Sequence, residues 1–422
     1  MTSRRSVLTG AVAAPLLAAA GAGTPDPGLN ADLERYVSAG VKNSGGYGDN
    51  EVGRWIDAAL VDAGYRTERL EFDVPFGEAT QAHVLVGDRQ VSVLAQAPVV
   101  TTGIRGVVAR LVDDQSGGSL RGAIALVVLG YGRWSTLTAR PIASRIDRAF
   151  ERGARACVIV TTGPSGEAIA LNTPAHAAVE RMIVIAAPKD AGPLVEAARS
   201  RQSVTLRIAG EVGRRRAFNV IGRVERNAAL PWLILSTPRS GWTVCAAERG
   251  PGLAVWLQLA RWAARSAPQH NVFVLCNSGH EFENLGARNV LAATAPAPER
   301  TAFWLHLGAN LASRDWHDTP SGLLPLESPD PQRFLLVSDV LLPQARQLFA
   351  GQPGLECPYA LGAGAAGELA EIVGAGYVRA AGVFGAHKFH HTTRDTLDAA
   401  HTGAMATAAG ALQGLVQAAL QL

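Results

Sequence analysis

The stretch CNSGHEFENLGARNV, residues 276–290, sets the architecture. It follows the apolar run NVFVL (271–275), which reads as a buried strand, and leads into NLGARNVLAATA (284–295), which reads as a helix. His280 and Glu281 therefore stand side by side where a strand ends. The carboxyl end of a strand is where an open α/β sheet keeps its chemistry. The pair serves a metal, a proton transfer, or neither.

Outward from this stretch, strand and helix patterns alternate. FNVIGRV (218–224), PWLILST (231–237), AFWLHLGANLA (302–312), RFLLVSD (333–339) and YVRAAGVFG (377–385) read as strands. PGLAVWLQLARWAARSA (251–267) and the run from Leu397 to Leu422 read as helices. This alternation predicts an α/β fold, a central mixed β-sheet flanked by helices. Residues 31–66 also read as helices, with NEVGRWIDAALVDAGY (50–65) ending at Gly64. Between about 80 and 215 short β-type runs, among them GVVARLV, RACVIVTT and MIVIAA, alternate with Gly-rich turns. This predicts a mostly β insert over 80–215, with the main α/β domain made of 25–79 and 216–422.

The 422 residues are 48% hydrophobic and 18% charged, enough for a large core in two domains. The net charge is only +3 and the basic residues are scattered, so the chain carries no footprint for nucleic acid. No apolar run of the roughly 18 residues a membrane helix needs occurs past the N-terminus, so no stable membrane insertion is expected once a leader is removed. Arg4 and Arg5 precede an apolar, Ala-rich stretch, which predicts a twin-arginine-type signal peptide over 1–24 and export to the periplasm or beyond the cell. Cys157, Cys245, Cys276 and Cys357 are far apart and form no Cys-x-x-Cys pair, so no structural zinc site is indicated. One disulfide or buried free thiols both suit them. The sequence sets no oligomeric state.

Several chemistries are excluded by spacing. HEFEN is not His-Glu-x-x-His, because Asn284 stands where the second His would be. GAGAAGELA (362–370) has Gly-x-Gly-x-x-Gly spacing but no preceding strand and no acidic partner about 20 residues on. No Gly-x-Ser-x-Gly elbow is present. What remains is an ordered set of loops on one sheet edge. Glu248 lies in AAERGPG before a helix, Glu281 follows the next strand, and His391 lies in HHTTRDT before the last helix. Two carboxylates and one imidazole suit a single zinc with a fourth position open to water.

These residues resemble those of the exported zinc aminopeptidases, a di-zinc metallopeptidase family that also includes the glutaminyl cyclases. The resemblance covers roughly 31–422, and its most specific landmark is HHTTRDTLD, similar to the family's His-Thr-x-x-Asp-Thr loop. It implies that the insert is a protease-associated domain and that His391 is a zinc ligand. It also implies departures. Pro238 and Ser240 stand where the family has His-x-Asp, Glu248 replaces the metal-bridging Asp, His280 replaces the general-base Glu, and Gly308 replaces a later metal-ligand Asp. Glu281 is kept as a ligand. The losses remove both private ligands of one zinc and leave Glu248, Glu281 and His391 for the other, so the cofactor expected is one zinc per chain. His280 becomes the candidate base, with an ordinary imidazole pKa near 6.5. His306, two residues before Gly308 on one side of the strand, is a candidate extra ligand or substrate contact, and Glu368 a candidate contact for a substrate amine. The expected activity is hydrolysis of an N-terminal peptide or amide bond. Two alternatives stand beside it: an inactive homologue that binds a peptide or another ligand, and a glutaminyl-cyclase-like acyltransferase using one zinc.

Overall fold

The run 271–277 forms the strand Asn271–Asn277, buried at every position. A computed structural model describes residues 27–176 and 181–422, so the leader expected over 1–24 lies outside the described residues. The strand pairs in parallel with Trp232–Pro238, which pairs in parallel with Thr301–Leu307, which pairs in parallel with Ala380–Gly385. Their carboxyl ends therefore lie on one edge of the sheet. Antiparallel strands flank this parallel centre: Ser203–Val224 beside Asn271–Asn277, and Arg333–Val337 beside Ala380–Gly385. The central mixed sheet is as expected, and strands buried on both faces explain the continuous apolar runs that mark it.

Helices cover it. Gly250–Ser266 and Thr402–Ala419 pack with Leu235, Val274 and Leu305 in the main core. Leu285–Ala293 and Glu368–Gly374 lie against the other face, around Phe273, Trp304 and Ile372. Gly286 allows the first of these a close approach, since a Cβ there would sit 1.9 Å from the Ser278 carbonyl oxygen. A side chain at 286 would force the loop carrying His280 to move.

The two longest strands, Arg66–Val86 and Ser203–Val224, pair antiparallel from Arg66–Arg223 to Leu85–Thr205. Between them the chain builds Arg89–Ala95, Val107–Asp113, Ile124–Val128, Ala156–Val160 and Ile183–Ala186, with apolar clusters around Leu126, Val158 and Leu206 and around Ile142, Cys157 and Ile185. The expected boundaries at 80 and 215 fall inside those two continuous strands. The run 66–79 hides its β character because only Val74 and Phe76 in it are buried and charged residues occupy its exposed positions. The hairpin of Arg314–Thr319 and Gly322–Pro329 was equally hidden, being largely exposed. All four cysteines are free, and Cys157, Cys245 and Cys276 are buried.

One buried ion pair fastens the edge that carries the loops. Arg239 and Asp49, both fully buried, lie 3.0 Å apart. Arg239 also donates to the carbonyl oxygens of Cys276 and Phe218, at 3.0 and 2.7 Å. Asp49 accepts from the Ser278 hydroxyl at 2.7 Å and the Gly45 N–H at 2.8 Å. Removing one partner strands a buried charge. Arg239→Met is therefore expected to destabilise the chain by about 3–5 kcal/mol, and Arg239→Met with Asp49→Leu by less than that, as read by urea unfolding. A single variant as stable as the parent would show the pair to be incidental.

Candidate active site

The loops leaving the parallel strands converge on one cavity of about 340 Å³, bordered by Arg249, His280, His306, Glu368, His390 and His391. Phe334 and Phe384, with ring centroids 5.8 Å apart, contribute an apolar wall.

Glu248 sits immediately before the helix Gly250–Ser266 and is fully buried. Its loop is fixed by Asp395, whose carboxylate accepts the Ala247 N–H at 2.7 Å and the Glu248 N–H at 3.1 Å. Oε1 of Glu248 lies 2.8 Å from Nη2 of Arg249 and 3.4 Å from Nε2 of His391, and Oε2 lies 3.9 Å from Nδ1 of His390. Burial alone would push this carboxyl up, but the adjacent Arg249 guanidinium, the largest opposing influence, holds it well below the usual carboxylate range. The His390 and His391 rings stack at 3.9 Å. Burial, and after it the neighbouring His391, holds His390 well below the usual imidazole value, so it is neutral. His391 has a left-handed backbone, φ 59°. Two bonds to residue 170 hold it there: its carbonyl accepts the Ala170 N–H, and its Nδ1 lies 2.9 Å from the Ala170 carbonyl oxygen. Nδ1 carries the proton in that bond, and Nε2 is the ring nitrogen that faces Glu248.

Ligand-type atoms of Glu248, His390 and His391 all lie within 4.8 Å of one another. A tetrahedral zinc with bonds of about 2.0–2.1 Å needs ligand atoms roughly 3.3 Å apart, so modest side-chain movement would close this group on an ion. Oε2 of Glu248 and Nδ1 of His390 have no hydrogen-bond partner, and Oε1 of Glu248 meets Arg249 as an ion pair alone. Donor types, burial and orphaned atoms thus fit a metal. A second group, Cys245, Glu248 and Asp395, fits less well. Asp395 is spent on two backbone N–H groups, and burial raises the Cys245 thiol well above its ordinary value.

Glu281 stands outside both groups. Its Oε2 accepts the hydroxyls of Ser44 and Ser240, and its Oε1 has no partner. Of the three ligands expected from the sequence, the structure gathers Glu248 and His391 and adds His390 in place of Glu281. The doubled histidine was the available signal. Arg249 was missed as well, although it adjoins Glu248 in the chain.

His280 and Glu368 form a pair, Nδ1 to Oε1 at 3.2 Å, and Asn277 donates to the other Glu368 oxygen at 2.7 Å. Burial pushes Glu368 up, but the His280 contact prevails and holds it below its ordinary value. Burial lowers His280, aided by Arg249 and opposed by Glu368. Neutral His280 then donates from Nδ1 and keeps an Nε2 lone pair. Glu368 is therefore bonded to His280 rather than held out for a substrate amine. His306 lies 2.9 Å from the Ser236 hydroxyl and is pushed down to about 4 by burial. A Cβ at Gly308 would meet the Val383 carbonyl oxygen at 2.8 Å and His306 Nε2 at 3.5 Å, so the backbone has closed on the space a side chain at 308 would need. Ser240 donates to Glu281 and accepts the His280 N–H at 3.3 Å, a structural use of its hydroxyl.

No family profile matches the sequence, and no curated protein matches it. Solved structures do match. A peptidase M28 precursor from Shewanella amazonensis SB2B superposes with a TM-score of 0.73 at 17% identity, over 94% of each chain. BSAP, a zinc aminopeptidase from Bacillus subtilis, gives 0.70 at 16%, over 93% of this chain and 94% of that one. An aminopeptidase from Aneurinibacillus sp. strain AM-1 gives 0.66 at 18%, over 93% of each. The chain has the fold of these aminopeptidases, as its resemblance implied.

Glu281 is pushed up to about 7 by burial, against 4.5 for its ordinary value. The folded chain thus holds the proton more tightly than the unfolded one. The stability this lends is full below about 4.5 and is lost as the pH rises through about 7. Glu281→Gln is expected to remove that loss, so that in metal-free protein the variant gains on the parent from pH 4.5 to pH 7. Urea unfolding across this range reads it, and parallel pH profiles would refute it.

Proposed function

We propose that this chain hydrolyses a peptide or amide bond at an N-terminal residue, using one zinc held by Glu248, His390 and His391. One observation carries the reading: His390 and His391, which cluster with the buried Glu248, border the same cavity as the separate His280–Glu368 pair. Zinc bound there would act as a Lewis acid toward a carbonyl and lower the pKa of water. The chain's own residues do the rest. His280 Nε2 takes a proton from the attacking water as its oxygen bonds to the carbonyl carbon. The carbon–nitrogen bond then breaks, and His280 returns that proton to the leaving amine. Glu368 keeps the His280 ring oriented and steadies the imidazolium formed in between. Phe334 and Phe384 offer an apolar surface to the substrate side chain.

A specific observation supports a second reading. Arg249, 1% exposed, places a guanidinium 2.8 Å from Glu248, a built-in cation beside the group that would hold the metal. A dication there meets like-charge repulsion. In this reading the cavity binds a peptide without cleaving it.

Plasma mass spectrometry and an aminoacyl-p-nitroanilide panel separate the two. About one zinc per chain is expected in protein purified without chelator or affinity histidines. His390→Ala is expected to lose more affinity than the roughly 10–100-fold that removal of a supporting partner costs, whereas Glu281→Ala retains zinc. His280→Ala should lower kcat by about 10²–10⁴-fold with zinc still bound. Hydrolysis should be lost on acidification only at a pH below the ordinary imidazole range, because burial holds His280's proton affinity down. No zinc after add-back, with Arg249→Ala restoring it, would establish the second reading.

A further inference from the structure

We propose that His306 is a neutral hydrogen-bond donor into the cavity, its Nε2–H aimed at the substrate's carbonyl oxygen. The assignment follows from a chain of buried groups. The Trp304 indole can only donate, and its Nε1 lies 2.8 Å from the Ser236 hydroxyl oxygen. That oxygen lies 2.9 Å from Nδ1 of His306. Trp304 and Ser236 are each 1% exposed and stand off the cavity, so bulk water does not reach the indole N–H or the hydroxyl.

Ser236 has one proton to give. Its oxygen already accepts from the indole, and among the described residues the only acceptor recorded for its proton is His306 Nδ1. Were Nδ1 protonated instead, Ser236 would accept twice and its own proton would be buried without an acceptor, the arrangement folded chains avoid. Nδ1 therefore carries the lone pair, and Nε2 carries the hydrogen. The strong burial of His306, facing Glu368, His280 and Arg249, favours the neutral ring.

Two consequences follow. A protonated Nε2 has no lone pair, so His306 is not the extra metal ligand that its sequence position allowed. The Nε2–H also borders the space beside Gly308, on the cavity, where no protein acceptor is recorded for it among the described residues. The cavity thus holds two histidines of opposite tautomer. His280, donating from Nδ1 to Glu368, offers an acceptor, and His306, accepting at Nδ1 from Ser236, offers a donor.

This assignment rests on the hydrolase reading. When the water oxygen bonds to the carbonyl carbon, the carbonyl π pair moves onto its oxygen and His280 takes the water proton. His306 keeps its own proton and hydrogen-bonds the oxyanion. The π pair returns as the carbon–nitrogen bond breaks, and the amine leaves with the proton from His280. Donors placed in this way act on charge present only in the transition state.

The test uses the full chain, labelled with ¹⁵N at its ten histidines and loaded with zinc, with His306 identified by the signal lost in His306→Gln. Two-bond couplings are expected to show the Nε2–H tautomer, and Ser236→Ala should relax that preference. His306→Leu should lower kcat on aminoacyl-p-nitroanilides by about 10²–10³-fold with KM little changed, and His306→Gln, which keeps an N–H, should recover part of it. An Nδ1–H tautomer in the parent, or an unchanged kcat in His306→Leu, overturns the assignment. A parent with the Nε2–H tautomer but no turnover overturns the hydrolase reading, and the role at a carbonyl with it.

Discussion

The ion pair between Arg239 and Asp49 is the constraint from which the site hangs. Arg239 follows the strand Trp232–Pro238, yet its guanidinium reaches the carbonyl oxygens of Cys276 and Phe218 on two other strands. Asp49 brings the helix Tyr47–Asp62 to the same point and holds the Ser278 hydroxyl. Three strands and a helix thereby meet where the sheet's carboxyl edge begins. Both charges are fully buried, so neither is satisfied without the other. The loop 278–281 is positioned by what this pair fixes. Ser44, beside it, receives the Gly279 N–H and donates to Glu281.

Much of this was legible because burial on both faces leaves continuous apolar runs. NVFVL and PWLIL advertise central strands, and the strand–helix alternation after residue 218 follows from the sheet's parallel centre. The outer strands were less legible. In Arg66–Val86 the exposed positions carry Arg, Glu and Asp, so the apolar signal that reveals a strand is diluted. Of the site, the loops were readable but not the directions of their side chains. Glu248 and His391 come together, while Glu281 turns to two serines, one of them at residue 44, far away in sequence. No spacing rule reports such a choice. Arg249 escaped notice because an arginine before a helix ordinarily faces solvent, and only the folded chain shows it buried against Glu248.

Two positions where the resemblance implied a departure have a structural use. Gly308 leaves its space to a backbone carbonyl and to His306, and Ser240 serves Glu281 and the His280 N–H. At these two positions the neighbouring groups use the space and the hydroxyl that the residue provides.

The hold that residue 170 has on His391 bears on how the chain matures. Ala170 belongs to the segment between the two longest strands, 221 positions away from the histidine it pins, and Thr173 in the same loop donates to the Glu281 carbonyl at 2.9 Å. A histidine with φ 59° does not keep that backbone unaided. The imidazole is therefore aimed only once the intervening segment has folded and docked, a long-range closure of the kind that slows folding. Under the proposed function, uptake of zinc would be a late checkpoint, passed only by chains whose assembly is finished.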